Sequence, residues 1–416
     1  MADIKPFKAL RPVADKIHLV ATRSVDNYPK EDLSHKLYSN PYSFLHVINP
    51  DFADGKRTKP GSVERLKKIK NRFLDFVKEE VFMKDQKPSY YLYQQFKDGN
   101  IYTGIIGCSS VADYDKGVIK VHEHTLPERE EKLKQYLEIC DYNAEPVLFC
   151  YENIAAIDDV INLTLLKHPA YDYSTTDRVR HKLWVISDKK TVELIRSEFG
   201  KLNAVYIADG HHRSASSSKL AHERAANNPN PTGKENYNYY LGIFFPEDQL
   251  RIFDFNRIVT DTNGLSTEEF LSKLKESFKI VHHKENSYKP EQTHKFSMYL
   301  DGNWYELIAK PFVINTKDPV KRLDASILSD HILGPLLGIK DIRSDKRISF
   351  VPGIKGMQEL KRMVDIGKFK LAFGLFPVRM PELKNIADNN LIMPPKTTWV
   401  EPKMRSGLVV YSLEED

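Results

Sequence analysis

The stretch VYIADGHHRSASSSKLAHERAA, residues 205–226, constrains the fold more than any other. A short apolar run ends on Asp209 and Gly210. An Asp-Gly pair between strands usually marks a hairpin. The residues after Gly210 do not alternate, however, and they are rich in Ala, Leu, Lys and Glu, which favour helix. The unit therefore reads as a strand, a tight turn and a helix N-terminus. The first backbone N–H groups of a helix lack intrahelical partners, and the helix dipole favours an anion there. Gly210 has no Cβ to keep a ligand away from the backbone. Arg213 in the first turn suits bidentate contact with phosphate oxygens, and Ser214 and Ser216 add hydroxyl donors. Two readings follow. One is a phosphate pocket. The other is a helix start capped by Asp209, with two surface histidines. The run His211-His212-Arg213 favours the pocket, because three cation-capable side chains on one helix start repel one another unless an anion is present.

Around this unit, strand and helix patterns alternate without a regular βαβ count, so the expected fold is mixed α/β with several subdomains. At 416 residues the chain exceeds one ordinary core. Residues 1–60 are rich in turn signals and read as irregular. Residues 62–82 place Leu66, Ile69, Phe73, Phe76 and Val77 at helical spacing, and their basic run RLKKIKNR reads as a solvated face. Segments 89–96, 101–111 and 117–121 read as a small sheet, and 146–151, 181–186 and 203–208 as further strands. Segments 128–139 and 189–199 read as helices. YYLGIFF and LRIFDF read as a strand pair. STEEFLSKLKESF is helical, and FSMYLDGNWYELI is a hairpin with an Asp-Gly turn. The expected regions are 1–165, 166–260 and 261–416, with 160–180 and 227–236 as candidate linkers.

Charge and cysteine content narrow the function classes. Lys plus Arg outnumber Asp plus Glu by 62 to 57, nearly balanced over this length, so neither a nucleic-acid nor a membrane partner is expected. The three cysteines form no CxxC pair and no disulfide framework. The start MADIKPFKALRP has no apolar signal region, and no run is long enough to span a bilayer. A cytoplasmic location is expected.

Two more polar stretches carry chemistry. In IKVHEHTLPERE, Glu123 stands between His122 and His124, at a strand end and before a helix. It reads as a carboxylate base beside imidazoles, or as a capped helix start with Thr125 as cap. No spacing among His122, His124, His211 and His212 matches a zinc signature, so no metal ligand set is assigned. In MPPKTTWVEPKMRSGL, two prolines hold the backbone extended, and Lys396, Lys403 and Arg405 project from a loop that lines an acidic ligand's pocket or is purely structural. DIRSDKRISFVPG alternates charges and reads as a salt-laced surface.

These features, in order, resemble one family across nearly the whole chain, the domain of unknown function 1015 family. PFKALRP, GCSSVADYDKGVIKVHEHT, VYIADGHHRSASS, LDASIL and MPPKTTWVEPKMRSGL carry the resemblance. Where the family often has a PPYD-like segment, this chain has LVATRSVDNYPK. The DGHHR core is also similar to the phosphate-binding box of the ParB/sulfiredoxin fold, which implies a nucleotide-binding core of that kind. Sulfiredoxins place a cysteine where this chain has His211, so the nucleophilic thiol is missing. ParB-type switches carry a following DNA-binding helix-turn-helix, which is not evident here. The remaining branch, the free-serine kinases, implies transfer of a phosphoryl group from a nucleotide, ATP or ADP with Mg²⁺, to the hydroxyl of free L-serine. The resemblance carries a phosphate and catalytic box onto Asp209, Gly210, His211, His212 and Arg213, with catalysis expected of Glu123, Asp209 and His211; phosphate binding is expected of Gly210, His212 and Arg213, joined by Ser214 from the helix start. His122, His124, Lys396 and Lys403 are the candidates for serine. The alternative is a ParB-like nucleotide-binding regulator without phosphoryl transfer. Pyrophosphate presents similar groups to a helix start, so the donor stays open, as does oligomeric state.

Overall fold

The computed structural model describes residues 1–25, 28–284 and 287–415; residues 26 and 27 of LVATRSVDNYPK lie outside them. The chain forms two compact units. The first comprises Met1–Val121, Thr125–Leu250 and Pro402–Asp416, and the second His122–His124 and Arg251–Glu401.

Among the strands of the first unit are β1 Ile4–Lys5, β2 Tyr90–Lys97, β3 Asn100–Ser110, β4 Ile119–Lys120, β5 Val147–Tyr151, β6 Tyr171–Ser174, β7 Arg180–Ile186, β8 Val205–Asp209 and β9 Tyr239–Pro246. Among the described residues these nine form one sheet in the order β4-β8-β5-β9-β3-β2-β7-β6, with β1 on β3. Pairing is parallel for β4-β8 and β5-β9 and antiparallel elsewhere, so the sheet is mixed. The longer helices of this unit include α1 Val63–Lys78, α2 Pro127–Cys140, α3 Ala155–Leu165, α4 Lys189–Phe199 and α5 His211–Asn227.

Local sequence explains most of these elements. Ser62 accepts from the Arg65 N–H to cap α1, whose buried stripe is Leu66, Ile69, Phe73 and Phe76. Arg65 and Lys68 of its basic run are half-buried and pair with Asp51. Helices α3 and α4 bury Ile157, Val160, Ile195 and Phe199 in a cluster with Val205, Ile207, Phe149 and Phe244. Phe149 and Phe244 stack with centroids 4.8 Å apart. Each such side chain contributes roughly 1.5–3 kcal/mol by leaving water.

Strands on both sides of residue 165 interleave in this sheet, and so do strands on both sides of 180. The sequence boundary at 165/166 therefore corrects to a position inside one core, and the candidate linkers at 160–180 and 227–236 also fall within the first unit. YYLGIFF does not pair with LRIFDF. It is β9, held between β3 and β5, because a fully buried run without alternation does not announce its neighbours. The expected small sheet of 89–121 is likewise part of the nine-stranded one. Residues 1–60 are not wholly irregular, since they contribute β1 and a helix at Lys30–Ser39.

The second unit has β10 Arg251–Phe253, β11 Phe255–Val259, β12 Phe278–His283, β13 Lys295–Leu300, β14 Asn303–Ala309, β15 Ile348–Pro352, β16 Leu371–Gly374 and β17 Trp399–Glu401. Six of them form a sheet in the order β12-β14-β13-β16-β11-β15, and β10 pairs with β17. The β13-β14 hairpin turns at Asp301 and Gly302, with φ of 47° and 79°, the conformation a type I′ turn needs. Helix α6, Thr267–Ser277, opens with a Ser266/Glu269 capping box. In DIRSDKR, Arg343 pairs with Asp341 and Arg347 with Asp345, giving the expected salt-laced surface.

Candidate functional site

The register of β8 on β5 sets the geometry of the DGHHR turn. Ile207 faces Phe149 and Asp209 faces Leu148, so Ala208 is an extra, bulged residue. A bulge at a strand end re-aims the next side chain. Gly210 follows at φ 107°, and α5 begins at His211. That φ favours glycine and strains any residue with a Cβ, and the Arg213 guanidinium lies directly over the position, 2.8 Å from where a Cβ would stand. The 17-residue helix has no side-chain cap, since Gly210 is its N-cap. Asp209, expected as the capping residue, is engaged elsewhere.

Lys403 Nζ donates to Asp209 Oδ2 at 3.0 Å. Arg213 folds back over Gly210, with Nη1 donating to the Pro146 carbonyl at 2.5 Å and Nη2 3.9 Å from Asp209 Oδ2. Burial would raise the Asp209 carboxyl; the charges of Lys403, Arg213 and His211 outweigh it and hold the group down at about 2. The Asp209 side chain still keeps 43% of its surface accessible, so these neighbours leave room for a ligand oxygen or cation.

The other residues of the turn divide sharply. His211 is buried. The Leu126 N–H donates to His212 Nε2 at 3.1 Å, so that nitrogen carries a lone pair and not a proton. Burial, with the Arg129 charge adding to it and Glu130 opposing, lowers the His212 pKa. A neutral His212 spent on the start of α2 is not the phosphate-binding cation expected from the sequence. With Arg213 already paired, mutual repulsion of three cations no longer argues for a bound anion. Ser214 is fully buried, its hydroxyl beside that of Tyr240, and so presents no donor at the surface of the turn.

The C-terminal stretch supplies what sequence reasoning left in a separate loop. Arg405 Nη2 donates to both Asp177 oxygens, at 2.8 and 3.0 Å, and to Thr175 Oγ1 at 3.2 Å. The Ser406 hydroxyl donates to Glu145 at 2.5 Å, and backbone bonds tie Ser406 to Thr22 and Val410 to Leu10. These anchors carry Lys403 to Asp209. The basic residues of this stretch are the signal the sequence carries, but their partners, Asp209 and Asp177, are not written in it.

His122, Glu123, His124 and Lys396 belong to the second unit. Within it, the His122 carbonyl accepts from the Met393 N–H at 2.9 Å; His122 is buried, while Glu123 and His124 are exposed. Lys396 has φ 58° and sets its ammonium 5.4 Å from the Phe255 ring centroid, a cation-π contact. Thr125 does not cap α2: Leu126 is its N-cap, Pro127 opens it, and the Thr125 hydroxyl donates to Glu130. No helix among the described residues is long and apolar enough to cross a membrane, and Cys108, Cys140 and Cys150 are buried free thiols.

A mixed α/β chain of two units with this glycine turn defines a class, and the family model agrees with it. The chain belongs to the family described as protein of unknown function (DUF1015), whose model matches residues 4–326. Among solved structures it is similar to a free serine kinase in complex with AMP, at 12% identity over 72% of this chain and 88% of that one, with a TM-score of 0.36. It is also similar to a conserved hypothetical protein from Pyrococcus furiosus, at 11% identity, coverage of 74% and 95%, and a TM-score of 0.36. A third is SbnI with C-terminal truncation from Staphylococcus aureus, at 11% identity, coverage of 71% and 82%, and a TM-score of 0.39. No curated protein matches the chain.

Proposed function

We propose that the chain is a phosphotransferase that moves a phosphoryl group from a nucleotide to the hydroxyl of free L-serine. One observation carries the reading: Lys403 and Arg213 converge on Asp209 at the uncapped start of a 17-residue helix. Phosphoryl transfer asks a protein chiefly for positioning and charge neutralisation. The turn offers a helix start, a guanidinium and an ammonium to phosphate oxygens. The motif resemblance to free-serine kinases supplies the acceptor.

In the step, the serine oxygen bonds to the terminal phosphorus while the bridging P–O bond breaks. The departing nucleotide keeps the electron pair, and the hydroxyl proton goes to a general base, the role that the motif resemblance gives Glu123. Asp209 is a poor choice for that proton, because a carboxyl held at about 2 is far from the pH at which a general base works best. Asp209 fits a different task. Mg²⁺ commonly binds through one or two carboxylates plus substrate phosphates, and Asp209 is the carboxylate available at the turn. The ion would neutralise phosphate charge there, and Lys403, released from Asp209, would remain beside the phosphates.

The low Asp209 pKa also supports the second reading, a nucleotide-binding regulator without transfer, since it leaves the turn itself without a proton acceptor. Incubating the purified protein with Mg²⁺, each of ATP, ADP and pyrophosphate, and a panel of free amino acids decides between them. Phosphoserine is the expected product. Nucleotide binding without any phosphorylated amino acid would overturn the kinase reading in favour of the regulator.

A further inference from the structure

A cavity of about 230 Å³ lies in the first unit against the first turns of α5. Arg213, Ser216 and Ser217 form one wall, and Phe44, Tyr136 and Tyr240 bring aromatic rings to others. Among its described lining residues Arg213 and Glu145 alone are charged, and Arg213 is the guanidinium of the DGHHR turn. We propose that this cavity takes the nucleobase of the phosphoryl donor, so that the donor is a nucleoside polyphosphate and not pyrophosphate.

Size, chemistry and position support this, and the inference rests on the nucleotide reading of the turn. Sites for drug-sized molecules are about 300–1,000 Å³. This smaller cavity suits a single ring system, which leaves a sugar and its phosphates outside. Mainly apolar walls with aromatic rings suit a flat heterocycle, and they would reject a bare phosphate or an amino-acid zwitterion. Ser216 and Ser217 lie five and six residues beyond His211, about 7–9 Å along the axis at about 1.5 Å per residue. A ribose spans the gap between a base at that depth and phosphates at the helix start.

Calorimetry on the full chain with Mg²⁺, comparing ATP with tripolyphosphate, tests the proposal. Wild type is expected to bind ATP at least about tenfold more tightly. Ser217→Leu, which fills the cavity, is expected to remove that advantage while leaving tripolyphosphate affinity within about twofold of wild type. The unchanged tripolyphosphate affinity reports an intact fold and phosphate site. If the variant does not fold, competition by adenosine for ATP in the wild type decides instead: competition supports the base pocket, and its absence overturns it. Equal wild-type affinity for ATP and tripolyphosphate, or full ATP affinity in Ser217→Leu, overturns the cavity assignment alone. Binding of neither ligand overturns it together with the nucleotide reading.

Discussion

Lys403 reaches Asp209 across 194 residues of chain and donates to its Oδ2 at 3.0 Å. Both side chains are partly open, so the pair adds little to stability by itself. Its effect is on protonation. The folded Asp209 carboxyl is held at about 2, against roughly 3.9 in an unfolded chain. A depressed carboxyl stabilises the fold above its unfolded pKa, and that stabilisation is lost as pH falls from about 4 towards 2. Lys403→Met should raise the Asp209 pKa and flatten this acid limb. A carbon-detected titration of Asp209 in both proteins gives the answer, and coincident curves would show that Lys403 does not hold the carboxylate.

Arg213 makes three contacts at once: with Gly210 by packing, with the Pro146 carbonyl by a hydrogen bond, and with Asp209 by charge. Hydrogen bonds to charged groups are worth about 1.5–3 kcal/mol, which corresponds to about 10–100-fold in affinity. Arg213→Ala should therefore weaken nucleotide binding by that factor in calorimetry. Arg213→Lys should recover part of the loss, because it restores the charge without the planar fork. Wild-type affinity in the alanine variant would return the turn to a structural role.

Glu123 is exposed and carries the proton-accepting role in the proposed transfer. Glu123→Gln keeps size and polarity but cannot take the proton. Phosphoserine formation should slow by about 10²–10⁴-fold, the usual contribution of a general base. Nucleotide affinity should stay unchanged. A variant that turns over at the wild-type rate removes Glu123 from the mechanism.

Where the sequence carried local information, the structure follows it. The apolar stripe of α1, the hairpin at Asp301-Gly302 and the helix after Gly210 are each specified by residues within one or two turns. Helix α3 is equally legible: Ile157, Val160, Ile161 and Thr164 have helical spacing and are buried. What local pattern cannot carry is partner choice. All eight residues of β9 are buried, so no alternation marks which strands flank it. The site shows the same division. Gly210 and Arg213 declare themselves at the turn, but Lys403 comes from far along the chain. The state of His212 depends on one backbone N–H, at Leu126, that no motif reports.

His181 ties the acid response of the fold to the tail that bears Lys403. It is fully buried, with the Tyr93 hydroxyl 2.7 Å from Nδ1 and Thr175 Oγ1 3.4 Å from Nε2. Burial and then the Arg405 charge push its pKa down to about 3, with Asp177 opposing. An unfolded histidine titrates near 6.5. As pH falls through that value the unfolded chain takes a proton that the folded chain refuses, so stability is lost between about 6.5 and 3. The slope is up to about 1.4 kcal/mol per pH unit. His181→Gln keeps a hydrogen-bonding side chain that does not titrate, and it should remove this component. Urea unfolding midpoints at several pH values from 7.5 to 4.5 should therefore fall more steeply for wild type than for the variant, and parallel slopes would show that His181 is not held neutral. Arg405 joins this network two residues from Lys403, by way of Asp177 and Thr175. Forcing a charge onto His181 repels Arg405 and loosens the anchor that brings Lys403 to Asp209. Because the folded chain refuses this proton until pH nears about 3, the nucleotide affinities of wild type and His181→Gln should run together from pH 7.5 to 4.5.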